Sequence, residues 1–258
     1  MPQKKIVFFD IDGTLIDMQA KKITPKMLET LHRLQDRGIK ICIATGRSPM
    51  VLPKIDGVAF DAYLTFNGSL CYDRKGVIFS NPIPHKDVVR FIQNAAALGR
   101  PVCVSTRDRL AANGTDTDLT DYFFIANEPV PVADDFDAVC AEDIYQLMLG
   151  CRPKDYPALL DGAPGAKIAA WWDRAVDVIP AGGGKGIGIE KMLAYYGLDK
   201  AEALAFGDGN NDREMLQAVG TGVAMENGSP ELKAIADEIC GPVYEDGIYH
   251  YCADKGLI

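Results

Sequence analysis

Histidine and tryptophan are scarce in this chain, three and two copies among 258 residues. His32, His85 and His250 stand far apart and none neighbours a motif, so no chemistry is assigned to them. The seven cysteines (Cys42, Cys71, Cys103, Cys140, Cys151, Cys240 and Cys252) form an odd, scattered set without a Cys-x-x-Cys pair. They read as reduced, buried or incidental thiols of a cytosolic protein. No apolar stretch is long enough to span a bilayer. The apolar run behind Lys4 and Lys5 is too short for a signal peptide, and Asp10 ends it. Positive charge is the minority, 27 Lys and Arg against 36 Asp and Glu, for a formal net charge of −9. That argues against nonspecific nucleic-acid binding through a basic surface. It leaves room for a phosphorylated small molecule, because a local metal and a lysine reverse the field inside one cleft. Internal repeats and low-complexity tracts are also missing. A cytoplasmic protein with no membrane and no nucleic-acid partner is expected.

What is present is a large apolar fraction, 48 % of the residues, ample for a sizeable core. The length suits one large domain or two modest ones. Ile6-Val7-Phe8-Phe9 reads as a buried parallel strand running into a loop. Thr24 caps a predicted helix with Pro25 at its first position; Met27, Leu28, Leu31 and Leu34 form its stripe, and Gly38 stops it. Ile39–Ala44 and Ala62–Phe66 read as further buried strands, and Leu70–Tyr72 with Val77–Phe79 as a hairpin. Between Asn81 and Pro180 the signals shorten and mix. A helix carries Val88, Phe91, Ile92 and Ala95, strands cover Val102–Ser105, Lys167–Trp172 and Ala175–Ile179, and acidic, proline-bearing loops fill the rest, notably Glu128–Asp137. Trp171 and Trp172 should face opposite ways in their strand. Burial is expected of both, with stacking on a sugar ring as the alternative for one. Alternation returns after Pro180: a helix over Lys185–Tyr196, a strand over Ala203–Phe206, a helix over Asp212–Val219, a strand over Thr221–Met225 and a helix over Pro230–Ala236.

Four short segments carry the chemistry. Asp10-Ile11-Asp12-Gly13-Thr14 follows the first strand, and open α/β sheets bind ligands at the carboxyl ends of such strands. Two aspartates two positions apart converge on one cation and one electrophile if the loop curls; an ordinary Asp-Gly turn is the alternative. Ala44-Thr45-Gly46-Arg47 ends the second strand, where a hydroxyl and the following amides can meet an anion at a helix start, or merely cap that helix. Gly182-Gly183-Gly184-Lys185-Gly186 permits close backbone approach and brings a compact charge, or is a flexible linker. It is not a P-loop, since Gly186 stands where Ser or Thr belongs, nor a dinucleotide fingerprint, since Ile187 replaces the third glycine. Gly207-Asp208-Gly209-Asn210-Asn211-Asp212 places acids and amides just past a buried strand, the oxygen ligands that Mg2+ prefers. It makes a poor EF-hand, having no Glu at the twelfth position, and a plain turn is the alternative. Asn67-Gly68 reads as shaping a loop near the site, with contact to phosphate as the alternative.

In this order the four segments resemble the motifs of the haloacid dehalogenase superfamily. Their spacing is similar to the branch with an α/β cap inserted between the second and third motifs, the Cof-type sugar phosphatases. The resemblance covers nearly the whole chain. It implies an α/β fold: a Rossmann-like parallel-sheet core from residues 1–81 and 181–258, with an inserted α+β cap domain over 82–180 that selects substrate. It casts Asp10 as nucleophile and Asp12 as general acid and base. Mg2+ would be held by Asp10, Asp208 and the backbone carbonyl of Asp12, and the phosphoryl group by Thr45, Gly46, Lys185 and Asn211. Asp212 would orient Lys185 or a metal-bound water. Two roles are open to Arg47, pairing with a substrate anion and anchoring the cap. The expected function is an Mg2+-dependent phosphatase on small phosphomonoesters, sugar phosphates foremost. A phosphomutase and a noncatalytic phosphometabolite-binding protein are the alternatives, and the oligomeric state is left open.

Overall fold

The computed structural model of the protein describes residues 3–55, 57–125, 127–170 and 172–258. The chain divides into two compact units. One takes the chain through Arg47, then Pro53–Ser80 and Gly184–Ile258; the other takes Ser48–Leu52 and Asn81–Gly183. The strands, in chain order, are β1 (Ile6–Phe9), β2 (Lys40–Ala44), β3 (Ala62–Thr65), β4 (Leu70–Asp73), β5 (Gly76–Ser80), β6 (Cys103–Ser105), β7 (Leu110–Ala112), β8 (Gln146–Gly150), β9 (Ala166–Ala169), β10 (Ala175–Pro180), β11 (Ala203–Gly207), β12 (Thr221–Met225) and β13 (Glu238–Cys240). The helices are α1 (Pro25–Asp36), α2 (His85–Ala97), α3 (Thr117–Ile125), α4 (Phe136–Val139), α5 (Tyr156–Leu160), α6 (Lys185–Tyr196), α7 (Arg213–Ala218), α8 (Pro230–Lys233) and α9 (Gly247–Asp254).

The first unit is built on an eight-stranded sheet in the order β13-β12-β11-β1-β2-β3-β4-β5. The run from β13 to β3 is parallel, and the hairpin β4–β5 extends it antiparallel. β1 is buried along its whole length, as a strand covered on both faces must be. Ile6 and Phe8 pack with Ile189 and Met192 of α6 and Met215 of α7. Phe9 lies on the opposite face, stacked on Phe206 at 5.5 Å, whose ring meets Tyr251 of α9 edge-on. α1 starts where Thr24 Oγ1 accepts the Met27 N–H at 3.1 Å, and it buries Met27, Leu31 and Leu34. Among the described residues no helix is long and apolar enough to cross a membrane. All seven cysteines are buried and unbridged.

The second unit is a five-stranded antiparallel sheet, β7-β6-β8-β10-β9. Val104, Leu147, Leu149, Val176 and Val178 point to one face, against α2 and α5; Cys103 and Met148 point to the other, against Leu119 and Phe123 of α3.

Several elements differ from expectation. β3 stops at Thr65, because Phe66 and Asn67 turn left-handed. β9 spans Ala166–Ala169, so Trp172 lies outside it, half-buried, with the Arg174 guanidinium 5.0 Å from its ring; Trp171 lies outside the described residues. The helix expected from Asp212 begins at Arg213, after a 3-10 turn over Asn210–Asp212, and that expected to reach Ala236 ends at Lys233. α3, α9 and the central strand β8 had no counterpart in the sequence reading. β8 reads Gln-Leu-Met-Leu-Gly and is buried on both faces, so it shows no alternation to find.

Candidate active site

Four neighbouring parallel strands end on one edge of the first sheet, and each delivers a polar loop there. β11 leads to Asp208, β1 to Asp10, β2 to Thr45 and β3 to Asn67. Lys185 opens α6 and is 1 % exposed. Its Nζ donates to Asp10 Oδ1 at 2.7 Å and to Asp212 Oδ1 at 2.5 Å. Asp212 Oδ2 accepts the backbone N–H groups of Asp208 and Gly209, each at 2.9 Å. Both Asp212 oxygens are therefore occupied in aligning the lysine and closing the turn.

Thr14 Oγ1 donates to Asp208 Oδ1 at 2.9 Å. Gly13 makes that approach feasible: its φ is +84°, and a Cβ there would sit 2.2 Å from Asp208 Oδ2. Asn227 Nδ2 fixes the same turn by donating to the Gly13 carbonyl at 2.8 Å. The sequence motif assigns Thr14 no task, and it does not reach Asn227, whose Asn-Gly signal reads only as a turn.

Carboxylate oxygens of Asp10, Asp208 and Asp212 lie within 4.8 Å of one another. Lys185 supplies one positive charge against these three. Burial raises the Asp10 carboxyl well above the usual range; Lys185 opposes this, while Asp212 and Asp208 add to it. Burial, then the charge of Asp212, pushes Asp208 up to about 7. Burial works against charge on Lys185, but Asp10 and Asp212 together outweigh it and hold the ammonium protonated. Among the described residues no donor reaches Asp10 Oδ2 or Asp208 Oδ2. An electron-rich pair of oxygens, one on buried Asp10 and one on half-buried Asp208, with a formal surplus of negative charge fits a divalent cation. The Asp12 carboxylate is not part of that group. Arg47 grips it with two bonds, Nε to Oδ2 at 2.8 Å and a terminal nitrogen to Oδ1 at 2.6 Å.

Thr45 is buried; its N–H goes to Leu64 O at 2.8 Å and its Oγ1 accepts the Arg47 N–H at 3.1 Å. No α-helix begins there, since the next element is a 3-10 turn at Pro49–Val51. The amides of a helix start, expected at this point, are thus missing, and the Gly46 N–H and the Thr45 hydroxyl proton are what the segment offers an anion. Asn211 Nδ2 donates to Asn67 Oδ1 at 3.2 Å. Away from this edge, a cavity of about 280 Å³ opens beside Lys4, Arg37 and Lys255. Each of these cations already has a protein partner, on Ala203 O, Gly256 O and Glu238 respectively.

Two solved structures share this fold across nearly all of the chain. A phosphatase of the haloalkanoate superfamily from Bacteroides thetaiotaomicron is 30 % identical, with a TM-score of 0.92, and covers 99 % of this chain and 96 % of its own. The subclass IIB sugar phosphatase BT4131 is 28 % identical, with a TM-score of 0.89, over 99 % and 100 %. YkrA of Bacillus subtilis (strain 168) is 35 % identical over 256 residues, 98 % of each chain. Fold and relatives define a hydrolase of phosphoric monoesters built on an α/β fold. A family model of haloacid dehalogenase-like hydrolases matches residues 7–252. The chain belongs to that family.

Proposed function

We propose that this chain is an Mg2+-dependent phosphatase that hydrolyses small phosphorylated metabolites, sugar phosphates foremost, through a phosphoryl group carried on Asp10. The observation that supports it most is the meeting of Asp10, Asp208 and Asp212 beside a buried lysine. Asp10 and Asp208 would hold the metal through their uncommitted oxygens, with the Asp12 carbonyl. Bound there, Mg2+ supplies positive charge that offsets the negative oxygens of the transferring group.

The residues divide the work. An Asp10 oxygen attacks phosphorus and the bond to the leaving oxygen breaks. Asp12, released from Arg47 and protonated, gives its proton to that oxygen, then takes one from the water that frees orthophosphate and restores Asp10. Lys185, Asn211, the Thr45 hydroxyl and the Gly46 N–H cradle the phosphoryl oxygens, while Asp212 aims the lysine. The second unit is the substrate-selecting cap in this reading. The sugar preference rests on the sugar phosphatase among the similar structures.

The decisive assay measures orthophosphate released from hexose, pentose, nucleotide and cofactor phosphates, with and without Mg2+. Sugar phosphates should be cleaved best and only with metal. Asp10→Asn should lower turnover by at least about 10⁴-fold while heating still gives a cooperative transition. Full activity in that variant would remove Asp10 from its role.

A further inference from the structure

The loop between β3 and β4 is built at a conformational cost. Phe66, Asn67 and Gly68 have φ of 50°, 51° and 90°, three left-handed residues in succession, and all are buried. Two of them are not glycine, which costs on the order of 1 kcal/mol each. The loop is held in that shape by the second motif: the Phe66 N–H donates to Arg47 O and the Asn67 N–H to Thr45 O, each at 3.0 Å.

The resulting turn touches three of the four chemical segments. A Cβ on Gly46 would lie 3.1 Å from Asn67 Nδ2, so the asparagine amide packs against the glycine. A Cβ on Gly68 would lie 2.3 Å from Gly184 O and 3.1 Å from Lys185 Cα, so the loop also seats the start of α6. From the fourth segment, Asn211 Nδ2 donates to Asn67 Oδ1 at 3.2 Å. An asparagine amide has two N–H donors on one planar group. Fixing one of them fixes where the other points.

From this geometry we infer that Asn67 is a positioning residue: it orients the Asn211 amide, so that the second N–H of Asn211 is aimed at a bound phosphoryl group. The inference rests on the phosphate-site reading above. The strained backbone is what brings the Asn67 side chain between Gly46 and Asn211. Asn67 acts through Asn211 and makes no contact with phosphorus itself.

The test uses Asn67→Gly, Asn211→Ala and the double variant. Glycine adopts φ near 50° without strain, so Asn67→Gly should fold at least as well as the parent. Orthophosphate binding is measured by calorimetry, and KM and kcat with p-nitrophenyl phosphate. Asn67→Gly should weaken orthophosphate and raise KM by about fivefold, the scale of one neutral hydrogen bond, with a smaller change in kcat. The double variant should lose no more than Asn211→Ala alone, the non-additivity of residues acting through one contact. Parent-like binding in Asn67→Gly, or additive losses in the double variant, would overturn the inference while leaving the phosphatase reading intact. Failure of the parent to bind orthophosphate would overturn both.

Discussion

Asp12 is a third exposed and gripped at both oxygens by Arg47, whereas Asp10, two residues earlier, is almost wholly buried on Lys185. One turn therefore puts two carboxylates of the same type in opposite settings, one shielded and one accessible to water. Such a division suits an attacking group and a proton carrier. Asp12→Asn should slow turnover by about 10²–10⁴-fold, the usual contribution of general acid–base catalysis, while added Mg2+ still raises the melting temperature. An unchanged rate would count against the proton-carrier role. At this scale the sequence shows which residues share a neighbourhood, because Asp10, Thr45 and Asp208 each follow a buried apolar strand. It does not show which partner each side chain takes. The grip of Arg47 on Asp12 depends on how two loops from adjacent strands curl, and nothing in Thr45-Gly46-Arg47 encodes that curl locally.

Among the elements, α3 is pinned at its second residue. Asp118 is 10 % exposed and meets Arg100, Arg152 and Arg174, which come from three other segments of the second unit. Burial alone would raise its carboxyl, but the hydrogen bonds from Arg152 and Arg174 outweigh that and hold it below the usual range. A carboxyl depressed on folding stabilises the unit above the unfolded value of about 3.9, and that contribution is lost as pH falls through the lower folded value. Acid titration followed by circular dichroism should show stability falling below about pH 4. Asp118→Asn should flatten that slope and cost about 2 kcal/mol at neutral pH; partly exposed arginines keep the loss below that of a fully buried pair. An acid profile identical to the parent's would sink the assignment. Elements with punctuation were legible: Thr24, Pro25 and Gly38 bracket α1, and Pro230 opens α8. α3 and β8 were not, since Asp118 looks like a solvated charge until three distant arginines surround it, and β8 carries no period of two.

For the molecule as a whole, the proposed metal would be linked to the fold. A ligand that binds only the folded chain stabilises it by about 2.7 kcal/mol at a hundredfold excess over its Kd. For a chain of this size that corresponds to a rise of roughly 5 °C in melting temperature. Mg2+ should produce such a rise, exhaustive chelation should remove it together with phosphate release, and Asp208→Asn should abolish it. Activity that survives chelation would dispose of the metal requirement. The parallel core was legible because alternating strand and helix signals at both ends of the chain admit few topologies. The strand order was not, because β11 must insert beside β1 from 197 positions away, as the register of Ile6 with Ala203 shows.

That pairing has a consequence for synthesis. The aspartate proposed to attack leaves the ribosome well before its partners, since β11, Asp208 and Asp212 follow it by about 200 residues. On the proposed reading a growing polypeptide stays chemically silent until Asp212 emerges, and a message truncated between Asp10 and Asp208 should yield no partial catalyst.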